Sequence, residues 1–316
     1  MSGLRLHGDT LAGAGMIDFA VNVWPAARSP ALERALGAAL ANDRYPDQSA
    51  ARRVLAKRHG RSPDEVLVLN GACEAFWLLA QALRPRRAAV VHPAFTEPEA
   101  ALLAAGTEVV RVMREPQRWS FDPADIPGGV DLVVVGNPNN PTGDVCQPFG
   151  RDGALVVVDG SFADFVPFDP EGDVVVRSLT KLWGLAGIRA GYLLGSSDVV
   201  AELERHRQPW SVNSLACAAL EACARDRETP LRVAAEVAAA RERLVDSLRE
   251  LGVRVWPSVA NFVLAELPAA VEPLRAHGIA VRPCSSFPGL DDRYVRVAVR
   301  TDADNDLLVR AVEAIL

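Results

Sequence analysis

The chain has 316 residues, 49% hydrophobic and 23% charged, with a mean hydropathy of +0.09 and a formal net charge of −6. Such a composition can bury one large core and a smaller second one, and an acidic balance without a run of Lys or Arg argues against nucleic acid or an anionic membrane as partner. No stretch of about 18 apolar residues occurs, the opening MSGLRLHGDT lacks a signal-peptide core, and five cysteines form no CxxC pair, so we expect a reduced, cytoplasmic location and a small-molecule substrate. The five histidines are scattered and imply no metal site.

In chain order, short β-branched runs alternate with longer Ala/Leu/Arg/Glu segments, the α/β signature. VLVLN (66–70), AAVV (88–91), EVVRV (108–112), LVVV (132–135), LVVVD (155–159) and VVVRSL (174–179) read as strands buried on both faces, as a parallel sheet requires. Residues 74–83 and 97–105 between them read as helices. Residues 230–251 keep helical spacing and stop at Gly252, giving a long helix that bridges two domains. Beyond it, strand-like VRVW, NFVLAEL, IAVRP and YVRVAV, a helical segment at 269–277 and a last helix from Asp302 predict a small α+β domain. There is no internal repeat and no low-complexity linker.

Chemistry-bearing residues gather in five places. SLTKLWGLAGIRAGY (178–192) joins a strand to a loop with Lys181, and Arg189 follows eight positions later. A partly desolvated amine beside other cations has a lowered pKa and is a nucleophile toward aldehydes; a serine hydroxyl and a guanidinium, Ser178 and Arg189, can hold a phosphate. By itself Lys181 reads more readily as an ordinary solvated loop lysine. NPNNPTG (137–143) is a rigid turn at a strand's carboxyl end, where α/β sheets place ligands, and its asparagines can donate to a phenolate oxygen. Asp159 ends an apolar strand, where a carboxylate needs a cationic partner such as a protonated pyridine, unless it caps a turn. Asn70, Gly71 and Ala72 lie between a strand and a helix, an anion site by virtue of free amides and the helix dipole, or simply a small-residue turn. In YVRVAVR, Arg296 can meet a carboxylate or lie on an exposed face.

Together these features identify a resemblance. Over nearly its whole length the chain resembles the class I/II aminotransferases, pyridoxal 5'-phosphate enzymes of fold type I. The resemblance implies an α/β fold with a large cofactor-binding domain, its mostly parallel seven-stranded sheet sandwiched by helices, and a small C-terminal α+β domain. We assign residues 1–28 to an N-terminal arm, 29–229 to the large domain and 230–316 to the small one. The same resemblance implies that Lys181 holds the cofactor as a Schiff base, Asp159 meets its pyridine nitrogen, Asn140 its ring hydroxyl and Phe95 its face. Ser178, Arg189 and the Gly71-Ala72-Cys73 turn would hold its phosphate. Tyr45 in RYPD matches a tyrosine that reaches the partner subunit's cofactor, which implies a homodimer with a shared site.

Two departures stand out. Phe162 occupies a place where the family often has tyrosine, and only about a dozen residues separate Gly143 from the strand at Leu155, where relatives usually carry a helix. Two branches of the family take phosphorylated amino compounds: histidinol-phosphate aminotransferases and threonine-phosphate decarboxylases. LHGD (6–9) before IDFAVNVWP, with Asn22, and QPWSVNSLA (208–216), with Asn213, resemble the decarboxylases. Expected substrate contacts are therefore His7, Gly8, Asn22, Asn213 and Arg296, and the expected reaction is decarboxylation of O-phospho-L-threonine, with amino transfer from histidinol phosphate or another amino acid as the alternative. Ordinary readings remain for both segments, a frayed terminus for LHGD and a helix cap at Ser211 or Asn213 for the other.

Overall fold

The computed structural model describes Leu4, residues 6–25 and residues 28–316; the parts of the expected arm at residues 1–3, 5, 26 and 27 lie outside the described residues. Its elements in chain order are β1 (Ile17–Asp18), α1 (Pro30–Leu40), α2 (Ser49–His59), β2 (Val66–Asn70), α3 (Cys73–Leu83), β3 (Arg87–His92), α4 (Glu97–Ala104), β4 (Glu108–Met113), β5 (Leu132–Gly136), β6 (Leu155–Asp159), β7 (Val174–Ser178) and β8 (Ala190–Leu194). There follow α5 (Ser197–Arg205), α6 (Ser214–Arg225), α7 (Glu228–Glu250), β9 (Arg254–Val255), β10 (Phe262–Glu266), α8 (Val271–Ala276), β11 (Ile279–Ala280), β12 (Arg282–Pro283), β13 (Tyr294–Ala298) and α9 (Asp302–Ile315).

Seven strands form one sheet in the order β2-β8-β7-β6-β5-β3-β4. Alternate residues point to opposite faces, so both faces of these Val-rich strands are apolar and both need cover. Leu67, Leu69, Val90, Val134, Val157 and Val176 pack with α3, α4 and α5, whereas Val68, Val91, Val135, Val158 and Tyr192 pack with residues of α1, α2, α6 and α7. A sheet sandwiched by helices results. One strand departs from the expectation of full burial: β4 lies at the edge, and its Glu108, Arg111 and Met113 are exposed.

The strand of this sheet that the sequence does not announce is β8, which runs antiparallel to both β2 and β7. This reversal positions the site. Parallel β5, β6 and β7 end together at Gly136, Asp159 and Ser178, and β2 ends at Asn70. Because β8 runs the other way, its first residue, Ala190, pairs with Asn70 at that same edge, and Arg189 arrives beside Gly71.

The long helix α7 buries Val233, Val237, Ala240, Leu244 and Leu248, a stripe at helical spacing, and packs on α9 and β9 of a four-stranded antiparallel sheet ordered β12-β13-β10-β9. The arm belongs to this second body more than to the first. β1 pairs in parallel with β11, Phe19 O accepts from the Ala298 amide, and Asn22 O accepts from Asn261 Nδ2 at 3.2 Å. No helix among the described residues is long and apolar enough to cross a membrane.

Candidate active site

At the common strand edge the sheet opens into a cavity of about 610 Å³, walled by the arm, the turn after β5, the ends of β6 and β7, the start of α3, and β12 and β13. It brings together His7, Gly8, Asn22, Ala72, Cys73, Phe95, Asn140, Asp159, Ser178, Lys181, Arg189 and Arg296. These residues span the chain from its first ten positions to its last twenty-five.

On the floor, Asp159 is buried and has no ion pair among the described residues; one of its oxygens accepts the Ser161 amide at 3.0 Å. Burial pushes its carboxyl up, opposed by that hydrogen bond and by the charge of Lys181. Such a group is incomplete without a cationic donor, and a protonated ring nitrogen supplies one. Lys181 follows Ser178 by three residues, with Nζ 5.7 Å from the Phe162 ring centroid. Burial, then the nearby Arg296 charge, lowers its amine to about 8, which leaves a minor but reactive fraction of it as the free, nucleophilic amine near neutral pH.

Arg189 adopts φ 58°, and its Nη1 donates to Ala186 O at 3.1 Å. A Cβ on Gly71, whose φ is +81°, would overlap Arg189 Nη2, so only glycine leaves room for the guanidinium beside the first turn of α3. Ser178, Ala72 and Cys73 line the same corner, which suits a phosphate: hydroxyl, helix start and guanidinium converge. The Cys73 thiol is inert, pushed up to about 12 by burial and by Glu97. Phe95 lies 6.4 Å from Phe76 and 5.8 Å from the His7 ring, an aromatic plate across the cavity. A phosphate corner, a nucleophilic amine, an aromatic plate and an unpaired buried carboxylate fit pyridoxal 5'-phosphate.

The three asparagines of the 137–143 turn divide their work. Asn137 exchanges hydrogen bonds with the Cys146 backbone, and Asn139 Nδ2 donates to Pro93 O at 2.9 Å and to Thr142 Oγ1 at 2.6 Å. Only Asn140 lines the cavity, and its Oδ1 accepts from Arg296 Nη1 at 2.6 Å.

The wall formed by β12 and β13 is cationic. Arg296 on β13 and Arg282 on β12 are register partners, both buried, both in the cavity wall, and neither has an ion pair among the described residues. Burial and the neighbouring Arg282 charge push Arg296 down to about 9, the sign of a cation lacking an anion. Arg282 stacks 4.9 Å from the Phe287 centroid and donates to Ser286 Oγ and Leu6 O, each at 2.6 Å. The arm is strapped across the opening: His7 Nε2 lies 2.8 Å from Glu97 Oε1, Thr96 Oγ1 donates to Leu4 O, and a Cβ on Gly8 would overlap Ala20 O. Asn22 Oδ1 is buried without a hydrogen-bond partner among the described residues. Arg282, Phe287 and Glu97 were missed in the sequence; Glu97, two residues after Phe95, was the one with a local signal.

Two expected contacts lie elsewhere. Asn213 is outside the cavity: its Oδ1 caps α6 through the Ala216 amide at 2.8 Å, and its Nδ2 donates to Ile188 O, which is the helix-cap reading rather than the substrate one. Tyr45 is 74% exposed, stacked 4.6 Å from Trp210, and lines a separate hollow of about 1070 Å³ between α1 and α6.

Residues 14–315 match the model of the family described as aminotransferase class I and II. The chain is 43% identical over 324 residues to a histidinol-phosphate aminotransferase of Mycobacterium tuberculosis, covering 96% of this chain and 88% of that protein. It is 31% identical to a threonine-phosphate decarboxylase of Salmonella typhimurium, over 95% and 91% of the two chains. The solved L-threonine-O-3-phosphate decarboxylase of Porphyromonas gingivalis superposes with a TM-score of 0.81 at 28% identity, covering 94% of this chain and 98% of that one.

Proposed function

Because the chain belongs to the class I and II aminotransferases, whose members work with pyridoxal 5'-phosphate, we propose that it acts on a phosphorylated amino acid and removes its carboxyl group, with O-phospho-L-threonine as substrate. One observation carries this reading: two buried guanidinium groups with no anionic partner among the described residues, Arg282 and Arg296, share one wall of the cavity. A substrate with both a carboxylate and a phosphate satisfies both. Histidinol phosphate offers one anionic group.

When bound, the cofactor takes up the electron pair left at Cα once a bond there breaks. The chain's own residues do the rest. Arg296 holds the carboxylate in a water-poor wall, and Arg282, with His7 and the Gly8 backbone, receives the phosphate. Lys181, with its amine lowered to about 8, gives a proton to Cα after the carboxyl group has left as CO₂. Asp159 would meet the cofactor's ring nitrogen and favour its protonated form. Phe95 and Phe162 exclude water. Tyr45, exposed at the rim of its own hollow, fits contact with a second copy of the chain, and we read the enzyme as a homodimer with shared sites.

A second reading, amino transfer from histidinol phosphate, is favoured by the 43% identity to a protein of that name. There the two guanidiniums would serve the phosphate of one substrate and the distal carboxylate of the amino acceptor. Purified enzyme is given O-phospho-L-threonine, and separately histidinol phosphate with 2-oxoglutarate. Release of CO₂ from the first supports decarboxylation; glutamate from the second without CO₂ from the first replaces it with the transferase.

A further inference from the structure

The turn that presents Asn140 has an unusual foundation. Between Gly143 and β6 no helix forms, so no helix start anchors its far side. Side chains do so instead. Arg114, on the residue after β4, is fully withdrawn from solvent, and its Nη1 donates to Asp144 Oδ2 at 2.5 Å and to Trp119 O at 3.0 Å. Its Nη2 reaches Gly136 O, the last residue of β5, at 3.3 Å. Asp144 Oδ1 accepts from Thr142 Oγ1, and the Asp144 carbonyl accepts the Asn139 amide at 2.9 Å. Thr142 Oγ1 in turn accepts from Asn139 Nδ2, which is tied to Pro93 O. A chain of bonds therefore runs Arg114, Asp144, Thr142, Asn139, Pro93, enclosing the turn on both sides of Asn140. Burial pushes the Asp144 carboxyl up, and Arg114 and the Thr142 hydroxyl oppose it.

The consequence falls on Asn140. Its Oδ1 is taken by Arg296, so the planar amide has one direction left for its Nδ2, and that direction is set by where the turn places its Cα. We propose that Asp144, held by Arg114, is a positioning residue that fixes the orientation in which Asn140 offers its amide to the cofactor's ring oxygen. It acts through Thr142 and Asn139 and touches neither cofactor nor substrate. The inference rests on the reading of Asn140 as that donor, and the test separates the two.

Thr142→Val removes the hydroxyl that joins Asn139 to Asp144 while keeping the buried volume; Asp144→Asn keeps an acceptor for Thr142 and removes the charge facing Arg114. Three properties are measured: the pH midpoint of the visible absorption change of the cofactor-loaded protein, kcat against KM, and the melting temperature of the cofactor-free protein. Asn140→Ala is the reference and should move the spectral midpoint. Thr142→Val should move it in the same direction, lower kcat by about tenfold with KM changed less than about twofold, and add nothing further in an Asn140→Ala background. Asp144→Asn should give a smaller shift of the same sign. Should Asp144→Asn not fold, Thr142→Val decides alone. A lowered melting temperature with the wild-type spectral midpoint, or additive shifts in the double variant, overturns the positioning role and makes the network merely structural. If Asn140→Ala itself leaves the midpoint unmoved, the reading of Asn140 fails and this inference falls with it.

Discussion

The amine of Lys181 offers the sharpest test of the site's electrostatics. Burial first, and the Arg296 charge second, bring it from 10.5 to about 8, with Asp159 opposing. A lowered lysine pKa means the free amine is present above the shifted value and lost below it. At pH 7 about one amine in eleven is free if the midpoint is 8, against about one in 3000 for an ordinary lysine, a gain of about 300-fold in reactive form. The cofactor-free protein should therefore capture pyridoxal 5'-phosphate at a rate that climbs through pH 8 and levels off well below pH 10. Stopped-flow absorbance gives the rate at each pH, and borohydride fixation with peptide mapping assigns the residue. The chain makes assignment simple, because Lys57 on α2 is its only other lysine. Arg296→Leu should raise the midpoint, since it removes the second largest cause of the shift. A profile still rising at pH 10, or fixation at Lys57, refutes the argument.

Three further outcomes are expected. Asp159→Asn leaves the ring nitrogen without its charged partner and should cut turnover by at least about 100-fold, measured by CO₂ release; a rate near wild type removes Asp159 from the site. Deleting residues 1–9 takes away His7 and the carbonyl that holds Arg282, so KM for phosphothreonine should rise by about tenfold, about 1.4 kcal/mol, with the visible spectrum intact. An unchanged KM would detach the arm from substrate binding. Mixing inactive Lys181→Ala with Tyr45→Ala chains should restore activity at up to about a quarter of the sites if subunits exchange freely and Tyr45 completes a neighbour's site. No recovery on mixing, under conditions where mixed dimers form, would make Tyr45 a local residue.

The strand-end side of the cavity was legible because each of its parts is local. An apolar strand followed by Asp159, or by Ser178 and Lys181, reads as a strand end whatever its neighbours are, and parallel strands bring their carboxyl ends to one edge. Strand β8 escaped notice because AGYLL lacks β-branched residues and follows directly on the Lys181 loop. Helix α2 escaped for a different reason. SAARRVLAKRH buries only Ala51, Leu55 and Ala56, too thin an apolar stripe to stand out among its arginines and lysine. For β4 the error lay in assuming that a run rich in valine is interior, when its place at the sheet edge leaves charged Glu108 and Arg111 in solvent.

The wall built by β12, β13 and the arm resists such reading for a physical reason. Arg282 sits in a two-residue strand beside Val281 and Pro283, a pattern indistinguishable from a surface arginine until β12 pairs with β13 and sets it opposite Arg296. Its grip on Leu6 O spans 276 positions of sequence, and that of Arg296 on Ala20 O spans the same number. Asn213 is the converse case. The segment around it resembles a substrate-binding stretch, but a short polar side chain before a helix finds its nearest unsatisfied partners in the helix's own amides, and Asn213 is used there. Local competition of this kind removes candidates, and long-range strand pairing supplies them. Features that depend on one strand end could therefore be read from the sequence, whereas the pairing of Arg282 with Arg296, which depends on β12, β13 and the arm meeting across the cavity, required the fold.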